Sequence, residues 1–551
     1  MLPPTLPSHI KPRKYQEEIF ETAKDKNTLV VLPTGTGKTL IAFLLTLERR
    51  EKWPGSKILF LAPTRPLAEQ HLSYFRHNIP QETIMHLFTG KIQAEKRKKI
   101  WEEVDIIFST PQCIANDLKD HLYTLEDISL LIEDEAHRCV KNYDYTYVAK
   151  TYKEQAKHQR ILGLTASPGY EKKTVLEICQ HLGIETVEVR TRESEDVKEH
   201  LQKLEIETIY IDFPKEFEVI RNAIKIIFDK KVEELKNRKL LFSVGNKKTL
   251  IDLQRKIMGQ ITSGNRNIHV LLGASACAQA LKIQHAIELI ETQSLASFNN
   301  YMLDLFDQAK KAKSKAVINL VKQKEFNQAY ILANELIAKN IEHPKMGTLK
   351  EIVEKKISAG VKRIIVFSQF RDNIIKISKT LNEIPGVNAK VFIGQASKDD
   401  NPGLTQKEQQ EIIRQFSAGE INIICSTSIG EEGLDLPEVN DVIFYEPVPS
   451  AIRKIQRAGR TARLFPGKLT MLVTKKTRDE AYYWVAFSKE KRMYKTLDTI
   501  KQDLENQQET DSKKRGEELA NEEKTAKEKD PTGQKEITKE KNQKSIFDFK
   551  E

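Results

Sequence analysis

Two short stretches of this 551-residue chain carry residues suited to handling a nucleoside triphosphate. The first, LPTGTGKT (32–39), follows the apolar run TLVVL (28–32) and opens into the helical pattern LIAFLLTLERR. Amides of Gly35, Thr36 and Gly37 at a helix N-terminus can cradle phosphate oxygens, because the unpaired N–H groups and the helix dipole both favour negative charge. Pro33 and Thr34 complete the loop. Lys38 is expected to reach the β- and γ-phosphates of ATP, and the Thr39 hydroxyl to bind Mg²⁺. The strict pattern wants glycine at 32, where this chain has Leu32, but the strand–loop–helix context survives.

The second stretch is LLIEDEAH (130–137). Asp134 is placed to hold Mg²⁺ through water, and Glu135 to polarise the attacking water as general base. Adjacent carboxylates at a strand end repel each other and are costly there without a cation. A phosphate loop followed by D-E-A-H points to NTP hydrolysis.

These residues need strands that end on them. Residues 10–200 alternate strand-length apolar runs with helical stretches: TLVVL, KILFLA, DIIFST, LLIEDE and ILGLTA, each ending on or leading into functional-looking polar residues. That is the pattern of a parallel α/β sheet with ligand residues at the carboxyl ends of its strands. Residues 345–495 repeat it with RIIVFSQ, AKVFIG, INIICST, DVIFYE and KLTMLVT. Between them, ACAQALKIQHAIELIETQ (276–293) and MLDLFDQAKKAKSKAVINLVKQ (302–323) have helical periodicity. The expected domains are an ATP-binding lobe at 1–204, a mainly helical insert at 205–335, a second lobe at 336–500 and a disordered charged tail at 501–551. A single solvated helix is the alternative for the tail.

The net charge of +11 is unevenly spread. Residues 219–330 hold 19 Lys/Arg and 9 Asp/Glu, whereas 501–551 hold 12 and 14. A basic face concentrated in the insert suits a polyanion, since each neutralised phosphate releases counterions; a solvated helical surface is the alternative. No run of eighteen apolar residues is present, so no membrane span is expected. The N-terminus lacks a signal-peptide pattern, and a cytoplasmic location is expected. The five cysteines form no C-x-x-C pair and read as small buried residues rather than a metal or disulfide framework.

Over about 480 residues the chain resembles the superfamily 2 helicases, which are built from two RecA-like lobes. The resemblance makes Tyr15 and Gln16 the adenine-reading segment. It makes APTRPLAEQ (62–70), TG (89–90) and STPQ (109–112) strand-tracking motifs, with Thr64, Arg65, Thr89, Gly90 and Thr110 facing nucleic acid. TASPG (165–169) resembles the motif that couples the ATP site to the strand. In lobe two, FSQFRD (367–372) and STSIGEEGLDLPEVN (426–440) put Gln369 and Thr427 on nucleic acid, and Gly433 and Asp435 near nucleotide. IQRAGRTAR (455–463) supplies Gln456 for nucleotide or water, and Arg460 and Arg463 as arginine fingers on the γ-phosphate. Arg457 reads instead as a structural ion pair, and Asp435 as a candidate for inter-lobe coupling. Ala462 stands where the family often has glycine.

A narrower resemblance is to the archaeal Hef helicases and their eukaryotic relatives, the Fanconi anaemia M-type and Mph1-type DNA translocases. It is carried by FSQFRD, IGQASKDDNPGLTQKEQQEII (393–413), EEGLDLPEVNDVIFYEPVPSAIRKIQRAGRT (431–461), TRDEAYYW (477–484) and LKIQHAIELIETQ (281–293). It implies a thumb-like insert that grips duplex near a branch, with Lys230, Lys231, Lys236, Arg238, Lys239, Lys247 and Lys248 as candidate phosphate contacts. It also implies ATP-dependent 3′→5′ remodelling of forked and four-way DNA in an archaeal, nucleoid-associated setting. No nuclease activity is expected, since the chain has no E-R-K core. Near the C-terminus, QKSIFDFKE places Gln543, Ile546, Phe547 and Phe549 close to the spacing of sliding-clamp (PCNA) peptides. Two rivals are an RNA-directed helicase of the Dicer or RNA-sensor type, and a scaffold with a vestigial ATPase. Intact Lys38, Asp134, Glu135, Arg460 and Arg463 argue against the second.

Overall fold

The computed structural model describes residues 2–3, 5–79, 82–312, 314–395, 403–427, 436–461 and 466–529, with backbone alone at 508–509 and 511–529. Lobe one is a seven-stranded parallel sheet of β1 (Thr28–Val31), β2 (Lys57–Leu61), β3 (Met85–Phe88), β4 (Ile106–Ser109), β5 (Ile128–Asp134), β6 (Ile161–Thr165) and β7 (Thr186–Val189), in the order β3-β4-β2-β5-β6-β1-β7. Apart from a few half-buried positions such as His86 and Leu87 of the edge strand β3, the strands are buried on both faces, as a helix-covered parallel sheet requires. Successive residues therefore feed opposite cores: Leu29, Val31, Leu59 and Leu61 enter one, and Val30, Leu32, Ile58 and Phe60 the other. The D-E-A-H segment leaves β5 at the centre of this sheet, and the phosphate loop leaves β1, two positions away and next to the edge strand β7.

Lobe two is a six-stranded parallel sheet of β8 (Leu204–Ile211), β9 (Ile364–Phe367), β10 (Ala389–Phe392), β11 (Ile423–Ser426), β12 (Asp441–Phe444) and β13 (Gly467–Thr474), in the order β10-β11-β9-β12-β13-β8. β8 moves the sequence boundary at 205. It pairs with β13 over its whole length, from Leu204 with Gly467 to Ile211 with Thr474. The helical insert is thus lodged inside lobe two, after β8, and its first helix is Lys215–Asn237. β8 escapes a search for apolar runs because it is an edge strand, largely exposed and alternating Glu205 and Glu207 with Ile206 and Thr208.

The insert continues through helices Lys247–Thr262, Ile268–Thr292, Leu295–Lys310, Lys315–Val321 and Lys324–Ala338. The helical pattern at 302–323 is broken near Ala312, which adopts a left-handed φ of 51°. Helix Ile268–Thr292 is the spine, and it serves two cores. A proximal core includes Phe217, Ile283, Phe298 and Phe326; a distal one includes Leu235, Leu250, Ile257 and Cys277.

The C-terminal helix runs from Arg478 to Lys529, so the segment after 501 is helical through Lys529 rather than disordered from its start. The Lys/Glu-rich composition favours helix. It leaves lobe two and crosses onto lobe one, where Met493, Leu497 and Ile500 are buried in the same core as Val187 and Ile178. From Arg478 to Leu504 this strap spans roughly 40 Å at 1.5 Å per residue. Its far end is pinned by an ion pair between Lys172 and Asp503 (2.7 Å). All five cysteines are buried and free. Among the described residues no helix is long and apolar enough to cross a membrane.

Candidate nucleotide and nucleic-acid site

The phosphate loop is held in shape from below. Gly35 and Gly37 adopt left-handed φ values of 81° and 79°, which a residue with a side chain rarely adopts. Thr36 is buried; its hydroxyl donates to the Pro33 carbonyl (2.7 Å) and its own carbonyl accepts from Tyr15 Oη (2.7 Å) and Gln16 Nε2 (3.0 Å). Gln16 Oε1 in turn accepts from the Arg13 amide (2.8 Å). A Cβ at Gly37 would overlap Gln16 Nε2. Tyr15 is fully buried, so in this conformation both residues assigned to adenine brace the loop instead. Lys38 Nζ donates to the Leu32 carbonyl (3.1 Å), and Thr39 lies in the first turn of helix Lys38–Lys52.

Asp134 ends β5 with 8% of its surface exposed. Burial raises its carboxyl, but the hydrogen bond and proximity of His71, together with the charge of Lys38, outweigh that and hold it below its ordinary value. The His71 contact, Nε2 to Oδ2 at 3.0 Å, comes from the helix Arg65–Asn78 that begins at the first strand-tracking motif. The sequence reading gave His71 no role. Nothing in its spacing marks it, because it meets Asp134 only through the fold. The donor set suits Mg²⁺: a hydroxyl (Thr39) and a carboxylate (Asp134) beside a phosphate cradle are the hard oxygen donors this ion takes.

Glu135 has a left-handed φ of 53°, a strained conformation for a residue with a long side chain. Its Oε2 lies 3.2 Å from His137 Nδ1, which also lies 3.2 Å from the Thr165 hydroxyl. Thr165 Oγ1 accepts from the Ser167 amide (3.1 Å), and Ser167 Oγ reaches Met493 Sδ (3.0 Å) on the strap. One line of contacts thus runs from the assigned general base through TASPG to the helix arriving from lobe two. Beside them Glu133 is wholly buried, and burial pushes its carboxyl well above the usual range.

Lobe two approaches the loop through helix Ala451–Ala458 and the residues after it. Gly459 sits so close to Thr34 that a Cβ there would overlap the threonine side chain. The next residue, Arg460, is 8% exposed, and Gln456 is 4% exposed. Arg457 is fully buried, with its guanidinium 5.0 Å from the Phe367 ring and 5.5 Å from the Phe444 ring. Gly433, Asp435 and Arg463 lie outside the described residues, as do Gln543, Ile546, Phe547 and Phe549.

Of the lobe-one residues assigned to strand tracking, Thr64, Arg65 and Thr110 line a cavity of about 300 Å³, together with Gln112, Arg138 and Tyr143, among others. Helices Arg65–Asn78, Pro111–Lys119 and Asp144–Gln155 all begin there. Three N-termini and two arginines, against the single carboxylate of Asp144, favour an anion such as a backbone phosphate in this cavity. Tyr145, in its wall, donates from Oη to the Asp134 carbonyl (2.7 Å) and so joins cavity to ATP site. Thr89 and Gly90 are not in this lining; Arg97 NH1 holds the Thr89 carbonyl (3.4 Å) while pairing with Asp117. Gln369 gives its amide to Glu446 and its Nε2 to the Pro447 carbonyl (3.4 Å), and Thr427 follows β11.

Of the insert cations, Lys230 pairs with Glu325 (2.7 Å), Lys231 and Arg238 with Glu234, and Lys247 with Glu288 (2.7 Å). Lys236, Lys239 and Lys248 are exposed and pair with no described residue.

Residues 13–175 match the family described as DEAD/DEAH box helicase, and residues 344–465 the helicase conserved C-terminal domain. Residues 216–341 match a helical bundle provisionally described as that of an ATP-dependent RNA helicase. A Methanocaldococcus jannaschii protein, provisionally named an ATP-dependent RNA helicase, is 41% identical over 89% of this chain and 61% of its own length. The mouse Fanconi anemia group M protein homolog is 31% identical over 90% of this chain and 26% of its own length. The Sclerotinia sclerotiorum ATP-dependent DNA helicase mph1 is 33% identical over 85% of this chain and 40% of its own length. The chain therefore spans between about a quarter and three fifths of these relatives. The crystal structure of the Pyrococcus furiosus Hef helicase domain aligns with a TM-score of 0.65 and 42% identity, covering 86% of this chain and 98% of that one. With a solved relative covered almost end to end, and both helicase domains matched in order around a helical bundle, the chain belongs to the Hef helicase family.

Proposed function

We propose that this chain is an ATP-driven motor that remodels forked and four-way DNA, moving 3′→5′ along one strand. The observation that carries the motor is Gly459 lodged against Thr34. It brings the arginine-bearing segment of one lobe onto the phosphate loop of the other, so that Arg460 and Lys38 enclose one nucleotide only while the lobes are together. Thr39 and Asp134 would hold Mg²⁺, which when bound would neutralise charge on the phosphates, and Glu135 would orient the attacking water. Loss of the γ-phosphate removes what Arg460 grips and lets the cleft reopen. The cavity at Thr64, Arg65 and Thr110 shares Tyr145 with the D-E-A-H strand, which gives strand binding a direct path to the chemistry.

DNA as the track rests on the relatives named as DNA helicases, and branched DNA on the family resemblance. RNA is the second reading, favoured by the description of the helical bundle and by the name of the Methanocaldococcus relative. Forked DNA is expected to stimulate ATP hydrolysis more than duplex RNA does, and forks with a single 3′ arm to be unwound in preference to forks with a single 5′ arm. Greater stimulation by duplex RNA would replace the DNA reading, and a 5′-arm preference would reverse the polarity.

The C-terminal peptide is proposed to bind a sliding clamp through Gln543, Ile546, Phe547 and Phe549, on the strength of its spacing alone. Phe549→Ala is expected to abolish retention on immobilised clamp, and undiminished retention would end the proposal.

A further inference from the structure

The distal end of the insert holds an aromatic residue out into solvent by construction. Between helices Lys215–Asn237 and Lys247–Thr262 the chain presents Phe242 with 86% and Val244 with 77% of its surface exposed. The first turns of helix Ile268–Thr292 add Ile268, Leu271 and Leu272, all exposed. The loop is firmly docked on either side of Phe242. Leu241 is buried in the distal core, and Leu240 occupies the space that a side chain at Gly273 would need. Gly245 lies against the Val232 methyls (2.8 and 2.9 Å from where a Cβ would be). The Val244 carbonyl accepts from the Thr249 hydroxyl (2.6 Å), and Asn246 caps the following helix. A loop so fixed could have turned its largest apolar side chain inward. It does not, and an exposed apolar patch of this kind marks a contact surface.

The surroundings say what kind of contact. Residues 229–275 contain ten Lys/Arg and four Asp/Glu. Lys236, Lys239, Lys248, Lys256 and Arg266 are exposed and pair with no described residue. A second copy of this surface would bring like charges together, which opposes self-association. A polyanion that also offers flat apolar faces fits both features, and that is nucleic acid with an exposed base. Inside a continuous duplex the base faces are covered by stacking. They are open only at ends, branches and single strands, so an aromatic on a basic tip selects those places.

We propose that Phe242, backed by Val244, stacks on the exposed base at a duplex branch, while Lys236, Lys239 and Lys248 hold the flanking phosphates. This rests on the DNA-motor reading and adds to it the side chain by which the insert would tell a branch from continuous duplex. The test compares binding of the full chain to a DNA fork and to relaxed, covalently closed duplex, which has neither ends nor branches. Phe242→Ala is expected to weaken fork binding roughly tenfold, the scale of one lost base–aromatic stack, while closed-duplex binding is retained. Phe242→Trp should restore the fork, and 2-aminopurine at the branch should be quenched by the wild type but not by the alanine variant. Fork affinity equal to wild type, or an equal loss on both DNAs, would overturn the proposal. So would a change confined to oligomeric state, which would make the patch a self-association face. The wild type serves as the separate control: if no DNA stimulates its ATP hydrolysis, the motor reading itself fails, whatever Phe242 does.

Discussion

Arg460→Ala is expected to lower kcat for DNA-stimulated ATP hydrolysis by about 10³-fold or more, the range measured for removal of an arginine finger. Nucleotide binding should fall far less. Phosphoryl transfer leaves a protein little covalent chemistry to do, so catalysis is mostly positioning and neutralisation of charge on the transferring group. On the proposed assignment lobe one would supply the cradle, Lys38 and the Mg²⁺ ligands, and those remain in the variant. What Arg460 adds is a charge delivered from the opposite lobe, beside a glycine already seated on Thr34. Its loss should therefore appear in the chemical step and not in ground-state affinity. Binding of a non-hydrolysable analogue, measured beside kcat, separates the two. Arg460→Lys should recover only part of the rate, since a lysine lacks the planar fork that meets two phosphate oxygens. Near-normal kcat in Arg460→Ala would remove this residue from the catalytic assignment. Arg457 makes a useful contrast three positions away: fully buried against the Phe367 and Phe444 rings, it should affect stability before chemistry when replaced.

The parts of this molecule legible in the sequence are those where one local rule decides the outcome. Buried parallel strands read as apolar runs, and phosphate loops need glycines at left-handed positions, so both lobes and the loop Pro33–Thr39 can be found without a structure. Edge strand β8 was hidden because half its residues face water and its partner, β13, lies more than 250 residues away in the chain. The strap was hidden for a related reason. Its sequence is that of a solvated charged helix, and only Met493, Leu497 and Ile500, at helical spacing, betray a buried stripe. His71 and Glu446 belong to a third class, polar residues whose meaning depends on what the fold packs against them. Glu446 takes the Gln369 amide beside Lys345 and Arg457, yet burial pushes its carboxyl up to about 7. No spacing rule reaches such a site.

That same neighbourhood gives the largest expected effect on stability. Lys345 and Asp479 form an ion pair in which both side chains are fully buried. Lys345 Nζ also donates to the Thr292 carbonyl at the end of the insert's spine helix (3.1 Å) and lies 5.2 Å from the Tyr445 ring. Asp479, at the start of the strap helix, accepts from the Thr474 amide (3.1 Å) at the end of β13. The pair thus ties the insert, lobe two and the strap at one point. Lys345→Met keeps most of the volume and leaves Asp479 buried without its counter-charge, an arrangement that costs about 3–5 kcal/mol. The melting transition of lobe two should fall on the order of 10 °C. Burial already holds the Asp479 carboxyl above its ordinary value despite the pull of Lys345, and removing the lysine raises it further. An acid whose pKa is higher folded than unfolded binds more protons in the native state across the interval between the two values. Stability is then greatest below that interval and declines as pH rises through it. The deficit of Lys345→Met relative to wild type should therefore be larger at pH 8 than at mildly acid pH. Adding Asp479→Leu should recover much of the loss, because an apolar pair of similar volume can replace a buried ion pair with little penalty. A deficit that grows on acidification, or a double variant no more stable than the single one, would show that the pair does not hold this junction together.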